Sequence, residues 1–233
     1  MEKIQNRQRN YLQITSKKLY TLGEEIFSSV VHGIGSALAI TALVLLLVFT
    51  VKNGGNALDI VGICIYGFTL ILLYTMSTLY HAITNVKAKK VFRIIDHCSI
   101  YLLIAGTFTP MIFSILRNYG STPWIVFGVV WGMAILGILM YALFPGKFKI
   151  LNLSSYVAMG WSAVFLIPSL IKELNAIGSK YSLAFLLAGG LAYTGGVVFY
   201  AIKKVKYFHS IWHIFVLAGS VCHFFCILAY TLA

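Results

Sequence analysis

Seven stretches of this chain are apolar almost throughout, and the polar links between them are short and rich in turn-forming residues. A helix needs about 20 residues to cross about 30 Å of hydrocarbon. Runs of that length lie near 28–51, 58–82, 92–116, 124–144, 152–171, 181–202 and 208–232. The links, about six to ten residues long by this placement, carry breakers at Asn53-Gly54-Gly55-Asn56, Asn118-Tyr119-Gly120-Ser121, Pro145-Gly146 and Asn175 to Gly178. Links this short force each helix to run antiparallel to the last. The pattern predicts an all-α integral membrane protein, a seven-helix bundle. A basic N-terminal segment, residues 1–27, precedes a transmembrane domain, residues 28–233, and no extramembrane domain fits.

Composition agrees with that reading: 60% of the 233 residues are hydrophobic and 10% charged, with a mean hydropathy of +0.88. Soluble domains carry about a quarter charged residues. The polar start of the chain lacks the features of a cleaved secretory signal, so the first span is expected to be retained as a membrane helix.

A net charge of +12 raises the question of nucleic acid, but the charges are distributed as a topology signal. Lys3, Arg7, Arg9, Lys17, Lys18, Lys87, Lys89, Lys90, Arg93, Lys147, Lys149, Lys203, Lys204 and Lys206 fall on one side of the seven spans, fourteen in all. Only Lys52, Arg117, Lys172 and Lys180 fall on the other. Basic loops stay in the cytoplasm. The N-terminus is therefore expected inside and the C-terminus outside, with the basic side attracted to an anionic cytoplasmic leaflet. The expected partners are membrane lipids and not nucleic acid; no protein partner can be read.

The four cysteines, Cys64, Cys98, Cys222 and Cys226, fall within spans and read as small packing residues. Gly33, Gly35 and Ala37, Gly128 and Gly132, and the pairs Gly189-Gly190 and Gly195-Gly196 read as points of close helix approach. Pro110 and Pro168 are expected to bend spans three and five, Pro168 close to the end of its span. No internal repeat is evident, which weakens a transporter built on inverted halves.

Ionisable groups inside membrane spans are costly and mark functional sites by default. His32, His81, His97, His209 and His213 all lie near helix ends on the basic side, leaving only His223 elsewhere. In His209-Ser210-Ile211-Trp212-His213 the two imidazoles lie one turn apart on one helix face. His81 ends the second span, with Ser77 one turn deeper on the same face, and Asp96 opens the third. Three histidines with an open fourth position resemble a catalytic zinc site, where the metal lowers the pKa of water to about 7. Asp96 would act as the base and Ser77 would support a developing oxyanion. The alternative is that Asp96 pairs only with Arg93 or His97 and that Ser77 bonds its own helix backbone.

At these positions the chain resembles the haemolysin III branch of the progestin and adipoQ receptor family. The resemblance rests on Ser77-x-x-x-His81, Asp96, His209-x-x-x-His213 and His223-Phe224, and on the strings from Glu24 to Gly35 and from His209 to Ser220. It runs from about Glu24 to the C-terminus. It implies seven helices in a bacterial plasma membrane, a cytoplasmic N-terminus, zinc on His81, His209 and His213, Asp96 holding the zinc water, and Ser77 completing the polar set. Alkaline ceramidases are similar in this motif, which implies a zinc-dependent hydrolase of a lipid amide or ester. The family's other branches imply a zinc-stapled sensor or receptor, and its bacterial name implies cytolysis.

Overall fold

The computed structural model describes residues 20–179 and 181–232. The basic residues from Lys3 to Lys18, part of the expected N-terminal segment, lie outside these, as does Lys180.

Among the described residues seven helices are long and apolar enough to cross a membrane: α1 (Leu22–Lys52), α2 (Ala57–Ala82), α3 (Val86–Leu116), α4 (Thr122–Leu143), α5 (Lys149–Ala176), α6 (Ser182–Ala201) and α7 (Phe208–Thr231). No strand occurs among the described residues. The chain is thus a multi-pass all-α membrane protein, as the hydropathy pattern predicts. Large apolar side chains such as Leu22, Val30, Ile34 and Leu38 are exposed along the outer face of α1, and Ile135, Leu136 and Leu139 along that of α4. Surfaces of this kind are stable only against lipid.

The helices extend beyond the purely apolar runs because their polar ends are capped. Thr21 and Glu24 form a capping box at the start of α1: Thr21 Oγ1 accepts from Glu24 N and Glu24 Oε2 accepts from Thr21 N at 2.7 Å. Helix thus begins at Leu22, six residues before the apolar stretch, and carries Glu24 and Glu25. Asn85 caps α3 by accepting from Lys87 N and Ala88 N, so Lys87, Lys89, Lys90 and Arg93 stand on helix instead of in a loop. The links shorten to three to six residues. Gly54 ends α1 and Gly178 follows α5 in left-handed conformations, φ 75° and 74°, which few other residues adopt cheaply.

Near both prolines the helix changes type, in forms the sequence did not reveal. Pro110 is followed by a π-helical segment, Met111–Leu116, at the end of α3. The break in α5 is a 3-10 stretch, Ser162–Leu166, on the N-terminal side of Pro168. Proline lacks the N–H that would bond four residues back and its ring crowds that carbonyl. It sits comfortably near a helix start, and Pro168 is the second residue of Ile167–Ala176. Helix continues to Ala176, past the expected end near 171, so Pro168 lies well inside α5.

The core runs down α3, of whose most apolar stretch 72% is buried. Tyr66, Tyr74 and Leu46 fill one cluster between α1, α2 and α7; Tyr101, Ile112, Val130 and Met159 fill another against α4 and α5. Helices α1 and α7 run parallel. Glu24 contacts the start of α7 at Tyr207, and Asn53 Nδ2 donates to Thr231 O at the other end, 2.7 Å. This pairing closes the bundle and brings the polar starts of α1 and α7 beside the end of α2.

Candidate metal centre

His81 occupies the last turn of α2 and is buried. Its Nδ1 donates to Glu25 Oε2 on α1 at 2.6 Å, and the other carboxylate oxygen, Oε1, accepts from Lys89 Nζ at 2.9 Å. Lys89 also reaches His81 O and Ile83 O, both at 3.4 Å, where helix α2 leaves carbonyls unpaired. The ring is fixed by this bond, and its buried Nε2 has no partner among the described residues.

The other two histidines come from α7. Tyr207, at φ 64°, turns the chain into the helix while its N–H donates to Glu24 Oε1 at 2.7 Å. Ser28 and Ser210 pair at 3.1 Å between α1 and α7, which fixes the register of the two helices. His209 and His213 then lie one turn apart with their Nε2 atoms 3.1 Å from each other. The Nδ1 of His213 lies 2.8 Å from His32 Nε2 on α1. One ring nitrogen from each of His81, His209 and His213 falls within 4.8 Å of the other two.

These residues fit a metal ion. Two ring nitrogens face each other, a third is buried without a partner, and the far nitrogens of His81 and His213 are held by Glu25 and His32. Outer partners of this kind fix the ring and the tautomer of metal-binding histidines.

Asp96 and Ser77 are buried and line one apolar cavity with His209 and His213. Asp96 Oδ2 lies 3.5 Å from His97 Nδ1, which makes a shorter contact, 2.9 Å, with Arg93 O. The neighbour pairing considered from sequence is therefore a long contact. Ser77 Oγ has no partner among the described residues, so it does not bond its own helix backbone. The cavity, of about 250 Å³, continues from these polar groups into the bundle between α3, α5, α6 and α7, past Leu103, Val164, Leu187 and Val216 to His223.

Sequence reasoning placed His32 near this end without a role and assigned none to Glu25. The available signal was their spacing: Glu25, Ser28 and His32 recur at three and four residues, one helix face, ahead of a wholly apolar run. Tyr20 was missed entirely. Its ring stacks on His209, centroids 4.4 Å apart, and lies 5.9 Å from His81. Burial pushes its phenol above the ordinary range, so it covers the cluster as a neutral group.

Fold and site define a class: a multi-pass, seven-helix membrane protein with a three-histidine centre able to hold a metal ion at one end of the bundle. Residues 20–224 match the haemolysin-III-related family, and the chain belongs to it. It is 42% identical to the hemolysin-3 homolog of Bacillus subtilis over 212 residues, 91% of this chain and 96% of that protein. It is 42% identical to hemolysin-3 of Bacillus cereus over 209 residues, 90% of this chain and 92% of that one. The human monocyte to macrophage differentiation factor is 31% identical over 174 residues, 71% of this chain and 68% of that protein.

Proposed function

We propose that this protein binds zinc through His81, His209 and His213 and hydrolyses an amide or ester bond of a membrane lipid. The observation that carries the reading is the joining of the histidine cluster to a cavity with walls that are apolar nearly to its end. Zinc held by His81, His209 and His213 would supply an electrophile and would acidify water to near neutrality.

The residues of the chain do the rest. Asp96, on the cavity wall, takes the proton from the attacking water and returns it to the leaving group. Ser77 donates its otherwise unpaired hydroxyl to the oxyanion that develops on the carbonyl. The acyl chain lies in the apolar part of the cavity and enters sideways between α5 and α6, the sparsely packed seam along its wall. Tyr20 shields the cluster from the aqueous side.

The basic side of the bundle is assigned to the cytoplasm from the fourteen-to-four asymmetry of lysine and arginine. A reporter fused after Ala233 is expected to be exported and one inserted near Val86 retained. A cytoplasmic C-terminal reporter would overturn the orientation.

The deciding experiment measures zinc content and lipid cleavage together in the wild type, Asp96→Asn and Ser77→Ala, on a panel of lipid amides and esters. Zinc is expected to remain near one per chain in all three, with turnover falling about 10²-fold or more in each variant. If the wild type holds zinc and cleaves nothing, and the variants change only stability, a second reading replaces the first. In it zinc staples α2 and α7, with α1 attached through Glu25 and His32, and the protein is a membrane sensor. Cytolysis, implied of the Bacillus cereus relative by its name, would then be an indirect effect of changed membrane state.

A further inference from the structure

Two residues that line the cavity each carry a buried side-chain atom with no hydrogen-bond partner among the described residues: Ser77, at Oγ, and His223, at Nδ1. Ser77 belongs to the metal end. His223 stands ten residues beyond His213 on α7, about 15 Å deeper at 1.5 Å per residue, where the surrounding wall is apolar. A buried polar atom left unpaired in such surroundings is costly unless something satisfies it.

The state of the His223 ring is set by its surroundings. Nε2 donates to Leu186 O at 3.3 Å, so Nδ1 carries the lone pair and can only accept. Gly189 makes room for the ring, since a side chain there would collide with His223 Cδ2 and Nε2. No tyrosine hydroxyl among the described residues bonds Nδ1: Tyr74 donates to Ser220 Oγ at 2.7 Å, and Tyr193 shares a hydrogen bond of the same length with that oxygen.

We propose that His223 Nδ1 accepts a hydrogen bond from a hydroxyl carried along the chain of the bound lipid, so that the cavity selects hydroxylated acyl chains. This rests on the reading that an acyl chain occupies the cavity. An extended chain advances about 1.2 Å per bond, by analogy with about 3.3–3.6 Å for the three bonds of an extended residue. A carbonyl at the histidine cluster thus brings roughly the twelfth carbon to the depth of His223. The hydroxyl donates to Nδ1, and the methylenes on either side meet the apolar wall.

The test is competition between a spin-labelled fatty acid on purified full-length protein and either stearate or 12-hydroxystearate. In the wild type 12-hydroxystearate is expected to compete about threefold or more better than stearate, because its hydroxyl is satisfied by Nδ1. His223→Leu should weaken 12-hydroxystearate about tenfold and leave stearate within about threefold. His223→Asn, which places an amide oxygen near the position of Nδ1, should recover most of that loss. If 12-hydroxystearate competes no better than stearate in the wild type, or if His223→Leu weakens both equally, the selection is refuted while the acyl cavity stands. If neither fatty acid displaces the label, the acyl-cavity reading fails and takes this inference with it. Should His223→Leu not fold, the wild-type ratio and His223→Asn still decide.

Discussion

Two flanks of the bundle carry the same kind of small-residue signal and use it in opposite ways. On α1 the inward positions Ser28, His32, Gly35, Ala39, Ala42, Leu46 and Thr50 form a buried seam, and Gly35 receives the ring of Tyr74 so closely that a Cβ would lie 2.5 Å from it. Tyr74 is held there by hydrogen bonds to Val216 O and Ser220 Oγ on α7. On α4, Gly128 and Gly132 meet nothing within 4 Å, and Gly190 on α6 is equally open. The expectation of close packing holds at Gly35, Gly189 and Gly196, not at Gly128, Gly132 or Gly190. The difference shows where precision is needed. The α1–α2–α7 side must hold histidines in register, whereas α4 carries exposed apolar side chains such as Ile135 and Leu136, and α5, broken at Ser162–Leu166, only has to present an apolar wall to the cavity.

The strongest way to break this comparison is to remove ligands from the precise side. His81→Ala, His209→Ala and His213→Ala are each expected to abolish stoichiometric zinc, read by elemental analysis of purified protein, while His223→Ala keeps it. Equal loss in His223→Ala would mean that the ligand set is wrong. One step smaller, Glu25→Gln weakens the partner of His81 Nδ1 without touching the ligands. Metal affinity is expected to fall about 10- to 100-fold, the usual scale for an outer partner of a metal-binding histidine. Competition with a graded chelator measures it, and an unchanged affinity would reduce Glu25 to a partner of Lys89.

The smallest effects test the packing contrast itself. Gly35→Ala drives a methyl group into the Tyr74 ring and is expected to cost about 1–3 kcal/mol. Gly128→Ala meets open space and trades glycine for a better helix former, so it should change stability by less than about 1 kcal/mol, and favourably. Thermal unfolding of both variants in the same detergent compares them directly. Equal melting temperatures would show that the α1 seam is no more exacting than the α4 flank.

Hydropathy and loop length made the architecture legible because a bilayer imposes one length and one polarity on every crossing. The histidines and Asp96 were legible for a related reason: an ionisable group near a membrane-buried helix end is conspicuous against an apolar background. Which of them meet was less so. His32 and His97 occupy similar depths in the sequence pattern, yet His32 touches His213 while His97 stacks on Tyr141 at 4.8 Å, away from the three-histidine group.

By itself the sequence determined the seven crossings and the residue types able to bind a metal, since each depends on local chemistry or on solvent. Only the tertiary structure decided that α1 lies beside both α2 and α7, because that is a matter of which faces pack best. From that adjacency follow the Glu25 bond to His81, the His32 contact with His213 and the Tyr20 cover. The same packing left an apolar cavity between helices that hydropathy cannot separate from filled core, because the same side chains line both.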